Sequence, residues 1–310
     1  MVKIGKSEVS TTSLGLGTNA VGGYNLFTGL KDEDGINIVK QALDSGITML
    51  DTAFAYGMGH SEELIGQAIQ GYDRSKFVIA TKAAQDVKNG KVEINNSPEF
   101  LKQSVDEALE RLQTDYIDIF YIHFPDDHTP KNEAVAALNE LKKAGKIKAI
   151  GVSNFSLDQI KEANQDGLVD VVEDQYSLIH REAEQELFPY LRENNVSFVP
   201  FFPLASGLLT GKYTKELSFP EGDMRSKNPD FKGERFNQII DKVNEVSKIA
   251  KKNDVSTAQL VLAWYMKNPD ITVVIPGAKK PEQVASNAKA LNITISDADY
   301  QEIDKKFKNL

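Results

Sequence analysis

The sequence predicts an α/β protein: a single (β/α)8 barrel of TIM type, with a long loop after the seventh strand. Three observations predict it. Short apolar runs rich in β-branched residues recur along the chain, and segments with helical spacing lie between them. No Pro/Gly/Ser-rich linker or break in composition divides the 310 residues, so one domain is expected over 1–310. Near-continuous apolar strands separated by helices indicate a parallel sheet covered on both faces. Alternation alone leaves a doubly wound open sheet as the alternative, but eight units in this length fit one barrel.

The first strand falls in or near STTSLGLGT (10–18), and the second is GITMLD (46–51). KFVIATK (76–82), YIDIFYIH (116–123) and KIKAIGVSN (146–154) follow. VDVVEDQ (169–175), VSFVPF (196–201) and ITVVIPG (271–277) complete the set. Between strands, PEFLKQSVDEALERLQ (98–113) carries apolar residues at 101, 105, 108, 109 and 112, the spacing of one helix face. Ser97-Pro98-Glu99 supplies its cap and a proline at the first helical position. NEAVAALNELKKAG (132–145) stops at a glycine, as helices often do, and REAEQELFPYLREN (181–194) is a further helix. The polar stretch TGKYTKELSFPEGDMRSKNPDFKGERF (210–236) holds two prolines and three glycines and reads as a loop over a binding site.

A net charge of −9 argues against a nucleic-acid or anionic-membrane partner. Without cysteine there is no disulfide, thiol nucleophile or Cys-based zinc site. The four histidines (60, 123, 128, 180) show no metal-ligand spacing, so no metal is expected. The N-terminus MVKIGKSEVSTT lacks the apolar core of a signal peptide. Runs such as LVLAWYM are far shorter than the roughly 18 residues of a membrane span. The expectation is a soluble cytoplasmic protein.

Polar residues collect where barrel chemistry resides, at the C-terminal ends of the strands. Asp51 ends the second strand and Tyr56 lies just beyond; Lys82 ends the third and His123 the fourth. Asn154 follows the fifth, Gln175 the sixth, and Phe201 closes the seventh. Each has a plain reading by itself: a strand-end Asp as a turn former, a Lys in solvent, a His satisfied in the core. Gathered at one rim, the set permits proton transfer next to a polarised oxygen. A phenol, ordinarily near pKa 10, needs a neighbouring ammonium to lower it, an aspartate holds that ammonium, and a histidine N–H binds a carbonyl oxygen.

With Asp51, Tyr56, Lys82 and His123 in that order, the sequence resembles the aldo-keto reductases over nearly its whole length. LDTAFAYG, GHSEELIG, IDIFYIHFPD, LKKAGKIKAIGVSNF, EDQYSLIHR, PLASGLLTGKY and VIPGAKKPEQVASN carry the resemblance, which lies close to the potassium-channel β-subunits. It implies a barrel that binds extended NADP(H) without a dinucleotide-binding domain, a small carbonyl substrate, and a monomer. Tyr56 would be the general acid, Lys82 and Asp51 would tune it, and His123 would orient the carbonyl. Ser153, Asn154 and Gln175 match the family's contacts to the nicotinamide amide, and Phe201 falls where a tyrosine usually stacks on the ring. Asp51 also counts among the expected cofactor neighbours. Pro203, Leu204, Ser206, Gly207, Leu209 and Lys212 are expected along the cofactor in the seventh-strand loop. Gly277, Lys279, Lys280, Gln283 and Asn287 are expected around its phosphate, with Arg225 reaching over. Gln283 stands where several relatives carry arginine, Phe124 where many carry tryptophan, and Phe202 where serine is common.

GLGTNA (15–20) satisfies the G-x-G-x-x-A dinucleotide pattern, but no helical pattern opens there. A chance match, or a rim loop touching nicotinamide through Thr18 and Asn19, fits better. Two other functions are open. One is a regulatory subunit that uses bound cofactor as a redox sensor, which turnover of a generic aldehyde would discriminate. The other is a Schiff-base aldolase with Lys82 as nucleophile, which borohydride trapping would reveal.

Overall fold

The computed structural model describes residues 1–88, 90–219, 223–308 and 310. Seven parallel strands form one sheet: Leu16–Gly17, Met49–Asp51, Val78–Ala83, Ile117–Ile122, Ile147–Ser153, Val171–Gln175 and Ser197–Phe201. They neighbour one another in chain order, with no reversal. That order excludes the doubly wound sheet, which needs a switch point.

The segment 271–277 closes the ring. Thr272 N donates to Phe198 O and Val274 N to Ser13 O, both at 2.9 Å, and parallel bridges join Leu14 to Val274 and Gly17 to Gly277. This eighth stave is a series of bridges, because Pro276 has no N–H to donate to a ladder. The glycines of GLGTNA belong to this closure: a Cβ on Gly17 would stand 3.0 Å from the Ile275 carbonyl oxygen. Helix α1 (Asp32–Asp44) starts well past the motif, so the dinucleotide reading fails in the fold as it did in the pattern.

A hairpin of Val2–Lys3 and Ser10–Thr11 plugs the N-terminal end of the barrel. Its Ile4 and Val9 join Met49, Val78, Ile119 and Val171 in the inner core, and Gly5 N donates to Ser197 Oγ at 2.7 Å. Side chains alternate across each strand, so one phase of every strand points inward. Followed toward the C-terminal end, that phase reads Met49–Asp51, Val78–Ala80–Lys82, Ile119–Tyr121, Ala149–Gly151–Ser153 and Val171–Glu173. Apolar side chains fill one end and polar ones the other.

The outer helices are α2 (His60–Ala68), α3 (Pro98–Leu112), α4 (Lys131–Lys143), α5 (Leu157–Ala163) and α6 (Leu187–Glu193). They continue with α7 (Gly233–Lys252), α8 (Thr257–Lys267), α9 (Pro281–Ala288) and α10 (Asp297–Phe307). Ser97 caps α3 as its sequence predicts, its Oγ accepting from Phe100 N at 3.4 Å. The expected helix over 181–194 is shorter, because Glu182–Glu184 form a separate 3-10 turn before α6. The long loop ends at Lys232 rather than at 236, since Phe236 is buried on the first turns of α7. Inside it lie 3-10 turns at Met224–Lys227 and Pro229–Phe231; positions 220–222 lie outside the described residues. A hairpin of Gln85–Lys88 and Lys91–Ile94, unannounced by the sequence pattern, stands on the rim after the third strand.

Candidate active site

Asp51 and Lys82 come from adjacent strands. Both are 1% exposed, and Lys82 Nζ donates to Asp51 Oδ1 at 2.5 Å and to the Thr52 carbonyl at 3.0 Å. This contact explains why a buried strand ends in a charge: the aspartate is the counter-ion of a lysine delivered by the next strand. Burial alone would depress the lysine, but the Asp51 carboxylate, the strongest opposing charge, holds Lys82 charged, its pKa above the ordinary value. A cation so held is a poor amine nucleophile, which argues against the Schiff-base reading.

Tyr56 is half-buried in the loop between the second strand and α2. Helix α2 is fixed by buried Glu62, which accepts from Thr81 Oγ1 at 2.6 Å and from Arg111 Nε at 2.7 Å. Asn25 ties the other side of the loop, donating to Ala55 O at 2.9 Å and accepting from Gly57 N at 2.8 Å. The Tyr56 ring therefore sits 5.8 Å (centroid) from Lys82 Nζ and 6.4 Å from the His123 ring, edge-on at 86°. Burial raises the Tyr56 pKa and Lys82 opposes the rise without cancelling it. The expectation that the ammonium would bring the phenol below its usual value is thus corrected: desolvation wins, and the phenol holds its proton.

His123 follows the fourth strand, is buried, and stacks on Phe124 at 4.6 Å. Burial first, and Lys82 second, lower its pKa to about 3. It is a neutral imidazole that can donate one N–H, and Gln85 Nε2 approaches its Nδ1 at 3.5 Å.

The expected cofactor residues divide into those that open onto the rim and those already occupied. Asn154 adopts a left-handed φ of 60° and donates from Nδ2 to His123 O and to Ser153 Oγ, both at 3.1 Å. Gln175 is exposed, and Phe201 is half-buried, edge-on to exposed Phe202 at 5.4 Å. Asn19 meets Gly277, where an added Cβ would lie 3.1 Å from Asn19 Oδ1. Thr18 is fully buried and donates to Asp51 O at 2.8 Å, bracing the tetrad rather than facing the rim. Leu209 is likewise buried in the core, and the Pro203 carbonyl accepts from Tyr265 Oη at 2.7 Å. Leu204 packs partly buried against the same core. Ser206 and Gly207 share left-handed backbone at φ 53° and 95°, beside exposed Lys212.

Farther along, exposed Lys280 precedes α9, and Lys279 Nζ lies 4.3 Å from the Phe27 ring centroid. Gln283 Oε1 accepts from Lys279 N at 2.8 Å, and Asn287 is half-buried one turn on. Arg225 reaches this region but is bound to Asp223 at 2.6 Å and to Tyr213 Oη at 2.8 Å. Its guanidinium holds Asp223 ionised, at about 2.

Two buried groups escaped the sequence reading. Glu173 Oε2 lies 3.2 Å from Lys82 Nζ, and the Tyr121 ring lies 5.4 Å from it. Both stand in the inward phase of their strands, and that phase is the signal that would have found them.

The aldo/keto reductase family model matches residues 13–308. The chain is 36% identical to the aldo-keto reductase YhdN of Bacillus subtilis (strain 168) over 308 residues, covering 99% of this chain and 93% of that protein. It is also 36% identical to the NADH-specific methylglyoxal reductase of Escherichia coli (strain K12), covering 96% and 95%. Among solved structures, glycerol dehydrogenase AKR11B4 from Gluconobacter oxydans superposes with a TM-score of 0.90 at 32% identity, covering 98% of this chain and 94% of that one. Fold and relatives define an oxidoreductase of the kind that works with a nicotinamide cofactor on a barrel scaffold. The chain belongs to the aldo/keto reductase family. Among the described residues no helix is long and apolar enough to cross a membrane.

Proposed function

We propose that the protein, as a single-domain monomer in the cytoplasm, reversibly reduces an aldehyde or ketone to an alcohol with NADP(H). The observation that carries this reading is the convergence at one pole of the Lys82–Asp51 pair, the Tyr56 ring and neutral His123. The residues present fit the cofactor: Gln175 has an exposed amide without a partner among the described residues, Asn154 and Ser153 stand beside the His123 backbone, and Phe201 offers an aromatic face. Lys279, Lys280 and Lys212 supply cationic charge farther along, beside the Arg225–Asp223 pair.

When bound, the nicotinamide supplies the hydride. His123 donates its N–H to the carbonyl oxygen and fixes where charge develops. Tyr56, protonated because it is buried, gives its proton to that oxygen. The fixed Lys82 charge stabilises the phenolate left behind, and Asp51 keeps the ammonium in place. The names of the relatives, methylglyoxal reductase and glycerol dehydrogenase, make small oxo-aldehydes and polyols the first substrates to test.

Tyr56→Phe keeps the ring and removes the acid. Cofactor affinity is expected within about twofold of the parent, while turnover falls by roughly 100-fold or more. Equal turnover in the two proteins would mean that the proton comes from another group. A parent that binds cofactor but turns over no carbonyl compound would favour the redox-sensing reading.

A further inference from the structure

The catalytic roles above leave unused the second buried acid beside Lys82. Glu173 lies in the sixth strand and is 2% exposed, so a single ammonium, Lys82, faces two carboxyl groups. It divides unequally. Lys82 donates to Asp51 Oδ1 at 2.5 Å, whereas Glu173 Oε2, at 3.2 Å, receives no hydrogen bond from it. Both carboxyl groups therefore stand against the same nitrogen, Lys82 Nζ. Among the described residues, Asp51 Oδ2 and Glu173 Oε2 are both buried without a donor. Ionised carboxylates only accept, so two of them beside one ammonium leave both of these oxygens unsatisfied in a dry interior. One proton held between them satisfies both.

We propose that Glu173 is a positioning residue that remains protonated in the folded protein and shares its proton with Asp51, leaving the Lys82 charge to act on Tyr56. The proton resides on Glu173 because Asp51 has the shorter contact with the ammonium. Among the described residues, the groups around it supply no second cation. Lys82 comes from the third strand and Asp51 from the second. Tyr121, whose buried hydroxyl has no partner among the described residues, comes from the fourth, with neutral His123 at its end. Tyr56 faces the cluster from its loop, and the fifth, seventh and eighth staves contribute Ala149, Val199, Val273 and Ile275. Burial and the Asp51 carboxylate both push Glu173 well above the ordinary range. An ionised Glu173 would put a second negative charge beside the lysine and raise Tyr56 further.

The protonation rests on geometry; its effect on turnover rests on the reductase reading, and the test separates them. An acid whose folded pKa is raised keeps a proton that the unfolded chain has lost, so stability falls as pH rises between the two values. Glu173→Gln needs no proton. Urea unfolding from pH 5.5 to 7.5 should show the parent losing up to about tenfold in its folding constant per pH unit relative to E173Q. Parallel curves overturn the proposal. In the parent alone, carbon-13 NMR of labelled glutamate carboxyls should show a protonated signal at pH 7, and only ionised signals would overturn it even if E173Q fails to fold. For turnover, Glu173→Leu should lower kcat about tenfold or more with KM within about twofold, and E173Q should restore most of that loss. Equal kcat in E173L and the parent overturns the positioning role. A parent that shows the stability slope but no turnover supports the protonation and overturns the reductase reading.

Discussion

His123 makes the sharpest quantitative prediction, because its environment separates two outcomes near neutral pH. An unperturbed imidazole has a pKa of about 6.5 and would be about 97% charged at pH 5. Held at about 3 by burial and by Lys82, His123 is roughly 1% charged at that pH. The sign follows from the depressed folded value. As pH falls below about 6.5 the unfolded chain takes up a proton that the folded protein refuses, so stability is lost toward acid until the pH reaches about 3. At pH 5 the gap is about 1.5 pH units, worth about 2 kcal/mol at about 1.36 kcal/mol per unit. His123→Gln cannot take up that proton. Urea unfolding of parent and variant at pH 7.5 and pH 5 should therefore show their difference shifting by about 2 kcal/mol in the variant's favour at pH 5. Lys82, Asp51, Glu173 and Tyr56 are common to both proteins and cancel in that difference. For the same reason kcat/KM should show no titration near pH 6.5. A difference constant within about 0.5 kcal/mol, or a kcat/KM limb near 6.5 that disappears in the variant, would refute a neutral His123.

The other predictions concern the lysine, the cofactor and the barrel wall. Lys82→Met should lower turnover by roughly 100-fold or more and cost about 3–5 kcal/mol of stability, because Asp51 loses its ammonium partner; both are read from kinetics and urea unfolding. NADPH should bind more tightly than NADH, and whichever of Lys279→Ala and Lys280→Ala removes a phosphate contact should weaken NADPH about 10- to 150-fold with NADH nearly unchanged. Titration of both cofactors checks this, and equal affinities in the parent would end it. Gly151→Ala places a Cβ 2.2 Å from the Tyr121 ring, so it should cost about 1–3 kcal/mol, relieved when combined with Tyr121→Leu.

The parallel barrel was legible because its strands are continuous apolar runs, and the strand-end Asp51, Lys82 and His123 were legible because polarity interrupts those runs. The N-terminal plug and the rim hairpin were not. Two-residue strands and a hairpin with exposed Val87 and Val92 carry no alternation long enough to read. The direction of the Tyr56 shift was missed for a different reason: it depends on how far burial outweighs one ammonium, and burial is a property of the assembled loop. The same holds at the phosphate end, where Asp223 on Arg225 and Gln283 on Lys279 N are contacts between segments that no local pattern links.

Glu173 shows where the strand reading stopped short. Gln175, two residues on, ends the strand at the exposed rim, whereas Glu173 lies buried below it. Yet Val171 and Glu173 are in one phase, and the phase that places Val171 in the inner core must place Glu173 above it. Such a carboxyl is almost wholly buried, so it must find a cation or keep its proton. Among the described residues the ammonium in reach is Lys82, which already has the shorter contact with Asp51. Counting charges along the inward phase therefore does more than locate the active pole. It says which acid must stay neutral there, and the alternation that builds the apolar end of the barrel sets the proton balance at the other.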